Sequence, residues 1–460
     1  MHDLALTGGW VVDPSNNIDG PADVAVREGR ISEIGRVTAG ARRVIDVAGR
    51  HVLPGVIDTH THLSRHFGSA EGHAMVARTG VVTALDLAGS FDDLAEALTG
   101  DGAGLNVAFL HPLIPGRTVS APDAPAEEIG VAIDAALTGG AIGVKVLGGH
   151  YPLTPEATER AITAATSRGC YLAFHVGTTA TGSDIRGLAE ALDLAGGRPI
   201  HVAHVNSYCR GQETGDPVAE ARRALDLLAA HPAAVSESYL SVYNGTSARC
   251  GDGVPTSDVT KTCLRMGGYD RTETGLEAAI RAGYARIHCV VDGEVALADA
   301  RAGLEAWRSR QTDAGVSFPV NHIPSAIVLA TARRNGRFTI DGLSTDGGAI
   351  PRNFLVRHGL MLVHIGAWTL RDFVVKSSVN PARMLRLPAK GHLGVGADAD
   401  VTVVDLAAGR ADWSLARGRI VLADGKVSGR GGMLLVSPAG ESVARSARVS
   451  HEVIHREGWR

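Results

Sequence analysis

Two histidines separated by one residue, His60 and His62, end an apolar run that begins at Val56. The run predicts a buried β-strand, and side chains two positions apart on a strand point to the same side. Two imidazoles on one side supply half of a divalent-metal site, because imidazole nitrogen suits Zn, Fe, Ni and Cu. Two histidines in a surface turn would give the same short pattern, so the pair alone leaves both interpretations open.

Further polar side chains stand at the ends of later predicted strands. They are Lys145, His175, His204 and Asp346. In a parallel barrel the active site lies at the carboxyl ends of the strands, so these side chains should meet the first two histidines. Strand alternation places His201 away from that side, and we therefore rank it below His204.

Lys145 is unusual because it lies inside an apolar predicted strand, 141–147. Lysine is rarely fully buried, and burial lowers the pKa of its ammonium group. A neutral lysine amine can react with CO2 to form a carbamate, which is a carboxylate on a long arm and could bridge two metal ions. A lysine at the sheet edge, with its ammonium reaching solvent, is the alternative.

The elements that must position these residues follow a strand–loop–helix rhythm from residue 51 to about 388. Later strands are predicted at 82–87, 107–110, 142–146, 171–176, 200–205 and 235–240. The fourth strand is followed by a helix with Thr154 as N-cap and Pro155 in its first turn. Repeated βα units predict a parallel sheet, and eight of them close into a (β/α)8 barrel. The turn-rich segment 241–270 predicts one long loop.

Both ends of the chain look β-rich. Short strands are predicted at 4–6, 10–12, 23–26 and 31–34, and again at 400–404, 419–423 and 433–436. We therefore predict an α/β protein in which residues 1–50 and 389–460 form one small β-sandwich domain, while residues 51–388 form the barrel.

The charge, hydropathy and cysteine content of the chain argue against some classes of function. The 460 residues carry a formal net charge of −4, which argues against a nucleic-acid partner. No stretch has the apolar length needed to span a bilayer, and the amino terminus lacks a signal-peptide pattern. The five cysteines form no CxxC pair and fit reduced thiols, so we expect a cytoplasmic location and no membrane partner.

A family resemblance appears in segment 53–62, LPGVIDTHTH, which resembles the first-strand signature of the amidohydrolase superfamily. Segments 379–383, VNPAR, and 394–400, GVGADAD, also match. The similarity is greatest to the cyclic-amidase branch of dihydroorotases and hydantoinases, with likeness to isoaspartyl dipeptidases and D-aminoacylases. Segment 140–145 looks like the fourth strand of the dipeptidases, and segment 201–207 looks like the sixth strand of the cyclic amidases.

The resemblance implies a site with two divalent metal ions, zinc first, with manganese or iron as alternatives. It implies that His60 and His62 bind the more buried ion and that His175 and His204 bind the more exposed one. Lys145, as a carbamate, would bridge both ions, and Asp346 would bind the buried ion and shuttle a proton. The implied reaction is hydrolysis of a C–N amide bond in a cyclic amide, an N-acyl amino acid or a small dipeptide-like molecule, within a homo-oligomer.

Substrate contacts should come from the loops that follow the strands. The candidates are His150, Tyr208, Arg210, Tyr239 and Arg352. Arginine suits bidentate binding of a carboxylate, although either arginine could instead form a surface ion pair.

The resemblance leaves other activities open. Dihydroorotases carry an arginine two residues after the second histidine, whereas this chain has Ser64 there and Arg65 next. This difference puts dihydroorotase activity in doubt. One alternative is a mononuclear deacylase or deaminase in which Lys145 carries no carbamate. Another is a non-catalytic scaffold that keeps the barrel, although all six ligand positions are filled here.

Overall fold

The computed structural model describes residues 1–64 and 69–455. Arg65, which entered the comparison with dihydroorotases, lies outside the described residues. No helix in the described part of the chain is long and apolar enough to cross a membrane.

A curled parallel sheet forms the centre of the molecule and carries the predicted site. Its first seven strands pair in chain order and are Val56–His62, Val81–Leu87, Ala103–Leu113, Gly143–Leu147, Tyr171–His175, His201–Val202 and Val235–Ser238. Gly342–Leu343 then pair with the seventh strand, while Gly347–Gly348 pair with the first. Segment 342–348 therefore pairs with both the first and the last of these seven strands. The first, second, fourth and fifth strands are buried at every residue, as expected for strands covered on both faces.

Helices connect and cover these strands. They are Ser69–Arg78, Phe91–Thr99, Ala126–Thr138, Pro155–Ser167, Ile185–Ala195, Pro217–Ala230, Ile323–Thr331, Leu355–His364, Leu370–Val374 and Asn380–Leu385. The predicted N-cap is confirmed, because the Thr154 hydroxyl accepts a hydrogen bond from the backbone N–H of Ala157 at 3.2 Å. Alternating strands and helices thus direct the carboxyl ends of successive strands towards one end of the sheet.

Strands from both chain ends meet outside the parallel sheet. One sheet combines Trp10–Asp13, Ile18–Pro21 and His51–Pro54 with Val401–Asp405, Arg410–Ala416, Arg419–Ala423 and Lys426–Val427. A second sheet consists of His2–Thr7, Asp23–Arg27, Arg30–Gly35 and Ala41–Asp46. Residues of both sheets, such as Leu6, Val24 and Val401, share one hydrophobic cluster.

The last strand predicted for this small domain belongs elsewhere. Gly431–Val436 pairs in parallel with Ala103–Leu113, and His451–Val453 pairs with it in turn. Its residues Leu434, Leu435 and Val436 are all buried. Burial of consecutive side chains is typical of a strand covered on both faces, which is why this segment extends the central sheet.

The prediction of one long loop at 241–270 is wrong. The segment contains short strands at Asn244–Ser247, Cys250–Gly251 and Val254–Pro255, followed by a helix at Asp258–Met266. Asn244–Ser247 pairs with Gly315–Phe318. Residues 244–318, called the insert from here on, also contain Glu273–Arg281, Arg286–Val291, Glu294–Leu297 and Ala300–Ser309. The insert has its own hydrophobic cluster around Leu276, Ile287 and Trp307, so its glycines separate short packed elements.

Candidate metal centre

Three of the predicted metal ligands converge at the end of the first strand. The Nε2 atoms of His60 and His62 lie 3.1 and 3.0 Å from Oδ1 of Asp346. One ligand atom from each residue lies within 4.8 Å of the others, and all three side chains are buried. Two imidazole nitrogens and a carboxylate oxygen form a donor set that suits zinc and related divalent ions.

The other two predicted histidine ligands form an adjacent pair. Nδ1 of His175 lies 3.0 Å from Nε2 of His204. The ring of His204 stacks on that of His60 with 5.0 Å between centroids, so the two groups are neighbours. Burial lowers the pKa of His60, His175 and His204 well below the usual value for histidine. Neutral imidazoles offer the lone pair that a metal ion requires.

Lys145 reaches the same place from the fourth strand. Its Nζ lies 3.4 Å from Nε2 of His60 and donates a hydrogen bond to the carbonyl of Leu87 at 3.3 Å. Only 2% of the residue is exposed, so it is not a lysine that reaches solvent at the sheet edge. Burial lowers the pKa of its ammonium group to about 8. Near neutral pH a fraction of such an amine is uncharged, which carbamate formation requires.

Two of the predicted ligands have an unusual backbone. His204 has φ of 34° and Asp346 has φ of 49°. This left-handed region is unfavourable for residues other than glycine, and such conformations concentrate at functional sites. At both positions the chain leaves its strand in a turn that directs the side chain towards the first strand's histidines.

Arg352, predicted as a substrate contact, forms an ion pair with Asp346. Its Nη2 lies 2.6 Å from Asp346 Oδ2, and its Nη1 donates to the Tyr239 hydroxyl at 3.1 Å. Burial alone would raise the pKa of the Asp346 carboxyl. The charge of Arg352 and the nearby imidazoles outweigh burial and hold that pKa well below its usual range.

Arg210 is held differently. Its Nε and Nη2 donate to the side-chain oxygens of Asn321 and Asn244, each at 2.9 Å. Asn321 also donates to the Tyr239 hydroxyl at 3.0 Å, which links Arg210 to the residues around Asp346. Among the ion pairs of the described residues, none includes Arg210.

Two further substrate candidates, Tyr208 and His150, lie against the histidine pair. The ring of Tyr208 lies 5.3 Å from that of His204, and its hydroxyl accepts a hydrogen bond from the backbone N–H of Val176. Tyr208 is therefore a buried wall of the site. The ring of His150 lies edge-on to that of His175 at 5.0 Å, and His150 is only partly buried. It stands between the histidine pair and the surface.

Residues that the sequence analysis missed support the ligands from behind. Glu237 of the seventh strand lies 2.7 Å from Nδ1 of His60, and the Ser183 hydroxyl lies 2.9 Å from Nε2 of His175. Asp58 accepts a hydrogen bond from the Thr345 hydroxyl at 2.6 Å, directly before Asp346. A buried acid inside a predicted strand was the available signal for Glu237 and Asp58.

The arrangement fits metal ions. Because Glu237 engages Nδ1 of His60, the Nε2 of that ring is left to face Asp346 and His62. His60, His62 and Asp346 would hold one ion, and His175 with His204 would hold a second. Lys145 lies beside the first group, because its Nζ is 3.4 Å from Nε2 of His60.

Comparison with known proteins agrees with the fold. No protein-family model matches the chain. A dihydroorotase of Anaeromyxobacter dehalogenans is 25% identical over 466 residues, covering 91% of each chain. An N-acyl-D-glutamate deacylase of Alcaligenes xylosoxydans is 28% identical over 450 residues, covering 89% of each.

A solved structure shares the fold. A D-aminoacylase, described by the role of its binuclear metal centre, superimposes with a TM-score of 0.65 at 21% identity. The match covers 94% of this chain and 99% of that one. The chain is thus similar in sequence, over nine-tenths of its length, to a dihydroorotase and an N-acyl-D-glutamate deacylase, and it shares the fold of a D-aminoacylase.

Proposed function

We propose that the protein is a metal-dependent hydrolase of a C–N amide bond. The observation that carries the proposal is the convergence of His60, His62 and Asp346 beside the His175–His204 pair. The relatives that span nine-tenths of the chain support it, because their names describe amide-cleaving enzymes. Zinc, a carbamate on Lys145, a cytoplasmic location and a homo-oligomer remain parts of the proposal. The five free cysteines support a reducing compartment.

The finer architecture is part of the same proposal. We take residues 51–388 as a (β/α)8 barrel, supported by the pairing of segment 342–348 with both the first and seventh strands. We take residues 1–50 and 389–460 as a β-sandwich domain, supported by the hydrophobic cluster that both chain ends share. The strand Gly431–Val436 is the exception, because it attaches to the parallel sheet.

The chain's own residues would perform the hydrolysis around the ions. When bound to these residues, divalent ions would supply Lewis-acid chemistry to a water molecule and to the substrate carbonyl. Asp346 accepts the proton of the attacking water and returns it to the leaving nitrogen, so the amide becomes a carboxylic acid and an amine. Arg352 holds Oδ2 of Asp346, which leaves Oδ1 facing the histidines of the first strand. His150 and Tyr208 would line the substrate side.

Arg210 supports a substrate with an acidic group. Its guanidinium is oriented by two neutral amide oxygens, so its charge is not cancelled by a carboxylate among the ion pairs of the described residues. Arginine pairs well with carboxylates, in a bidentate geometry. An N-acyl amino acid would present such a carboxylate, whereas an unsubstituted hydantoin would not.

A mononuclear deacylase is the second candidate. Within the described residues, one group of three convergent ligands is found, His60, His62 and Asp346. The D-aminoacylase with the same fold is described as activated by one metal and attenuated by a second. If this chain works in the same way, Lys145 need not carry a carbamate.

The test is metal content together with a substrate panel. Protein purified without chelators and with bicarbonate is analysed for metal per chain, stripped with EDTA and reconstituted. It is then assayed on hydantoins, dihydropyrimidines, N-acyl amino acids and isoaspartyl dipeptides. Two equivalents with amide hydrolysis support the binuclear proposal, and one equivalent with hydrolysis supports the mononuclear candidate. Hydrolysis of no compound, without bound metal, would leave the scaffold interpretation.

A further inference from the structure

We infer that Glu237 is a positioning residue that aligns the histidines of both proposed ion sites. The inference rests on the proposed metal site and adds a residue that the sequence analysis did not select. Its Oε1 lies 2.7 Å from Nδ1 of His60 and accepts from the backbone N–H of His204 at 2.6 Å. Its Oε2 accepts a hydrogen bond from the Ser344 hydroxyl. One carboxylate from the seventh strand therefore joins the first strand, the end of the sixth and the segment that carries Asp346.

The buried carboxylate of Glu237 has no direct ion pair with a lysine or arginine among the described residues. The side chain is fully buried, and a buried carboxylate is costly unless it is paired with a cation. Among the described residues its ion-pair partners are the imidazoles of His60 and His201, at 2.7 and 3.8 Å, and neither is a permanent cation. A glutamine could accept the same two N–H bonds and donate to Ser344, without burying a charge. What the carboxylate provides and a glutamine would not is a negative charge beside Nδ1 of His60.

Its effect on His60 follows from the hydrogen bond. A carboxylate on Nδ1 holds the proton there, so the lone pair of Nε2 points at Asp346 Oδ1, 3.1 Å away. The same contact makes the ring a stronger metal ligand, and such supporting carboxylates typically change metal affinity by about 10- to 100-fold.

Glu237 also acts on the second proposed ion site. The backbone N–H of His204 is bonded to it at the point where φ is 34°. This bond offsets part of the unfavourable conformation that turns the His204 ring towards His175. One side chain therefore contacts a proposed ligand of each of the two ions.

The experiment compares Glu237→Gln with a matched control. Glu220→Gln also removes a buried glutamate that accepts backbone N–H bonds, from Gly211, Glu213 and Thr214, but it contacts no predicted ligand. Zinc affinity is measured by competition with a chromophoric chelator, and the metal-free melting temperature by circular dichroism. Cobalt-loaded protein provides an absorption spectrum that reports ligand geometry.

We expect Glu237→Gln to bind zinc about 10- to 100-fold more weakly than wild type and to change the cobalt spectrum. Its metal-free melting temperature should fall no further than that of Glu220→Gln. Zinc affinity equal to that of wild type, or a loss matched by Glu220→Gln, would overturn the inference. If Glu237→Gln does not fold, Ser344→Ala removes one of the three contacts and should give a smaller loss of affinity; unchanged affinity there would also overturn it.

The activity panel separates this inference from the proposed function. Zinc-loaded wild type that hydrolyses no amide, with Glu237→Gln still weakened in binding, would sink the proposed function alone. Wild type that hydrolyses amides, with Glu237→Gln binding zinc normally, would sink the inference alone. Wild type that binds no metal would overturn both.

Discussion

Replacing Arg352 with methionine should make the stability of the protein depend on metal. The arginine is 3% exposed and its Nη2 lies 2.6 Å from Oδ2 of Asp346. Methionine fills a similar volume but leaves Asp346 as a buried carboxylate without its cation. Breaking a buried ion pair on one side costs about 3–5 kcal/mol, so we expect the free energy of unfolding in EDTA to fall by about that amount.

Zinc should restore much of this loss. An ion held by His60, His62 and Oδ1 of Asp346 would supply the positive charge that the variant lacks. A matched control is Arg210→Met, which removes hydrogen bonds to two neutral amide oxygens. At about 0.5–1.5 kcal/mol for each bond, the control should lose about 1–3 kcal/mol with or without zinc.

The assay is urea unfolding followed by circular dichroism, in EDTA and in zinc, for wild type and both variants. Two results would refute the reasoning. A loss for Arg352→Met in EDTA that does not exceed that of Arg210→Met would mean that Asp346 does not depend on the arginine. An equal loss in EDTA and in zinc would mean that no cation binds beside Asp346.

Three further predictions use other residues. Lys145→Ala should lose activity and bound metal, and short carboxylic acids should restore part of the activity; full activity without additives would contradict the carbamate. Arg210→Met should lower kcat/KM roughly 10- to 100-fold for N-acyl amino acids and leave neutral cyclic amides unchanged; an equal loss on both would contradict a carboxylate contact. Burial lowers the pKa of Lys376 from 10.5 to about 7. Unfolding therefore takes up a proton between these values, and the free energy of unfolding should rise with pH across about pH 7 to 10. Lys376→Met should flatten that rise, and urea titrations that show the same slope in both proteins would contradict this assignment.

Much of the candidate site follows from local sequence pattern. His60 and His62 are two apart on a strand, and alternation alone places them on one side. His175 and His204 end later strands, and the parallel order of those strands brings them to the same end of the sheet. The position of these residues at strand ends therefore predicts that their side chains lie close together. It does not predict which of their atoms face each other.

Other features depend on contacts between distant segments. Glu237 was missed because its importance comes from His60, which faces it from a different strand, across 177 positions of sequence. The pairing of Arg352 with Asp346 was missed because sequence indicates the reach of an arginine but not its partner, and its substrate role stays a prediction. The strand Gly431–Val436 and the insert were misassigned for the same reason: burial on both faces and a separate packed core become visible only when the chain is folded.

The insert has an evolutionary consequence. Its hydrophobic cluster is separate from that of the parallel sheet, and two residues at its margins, Asn244 and Asn321, orient Arg210. Mutations can therefore accumulate inside the insert, and its loops can change length, while the histidines on the sheet keep their positions. Under the proposed function, exchange of this module is expected to alter which substrate Arg210 binds, while the proposed metal ligands on the sheet keep their positions.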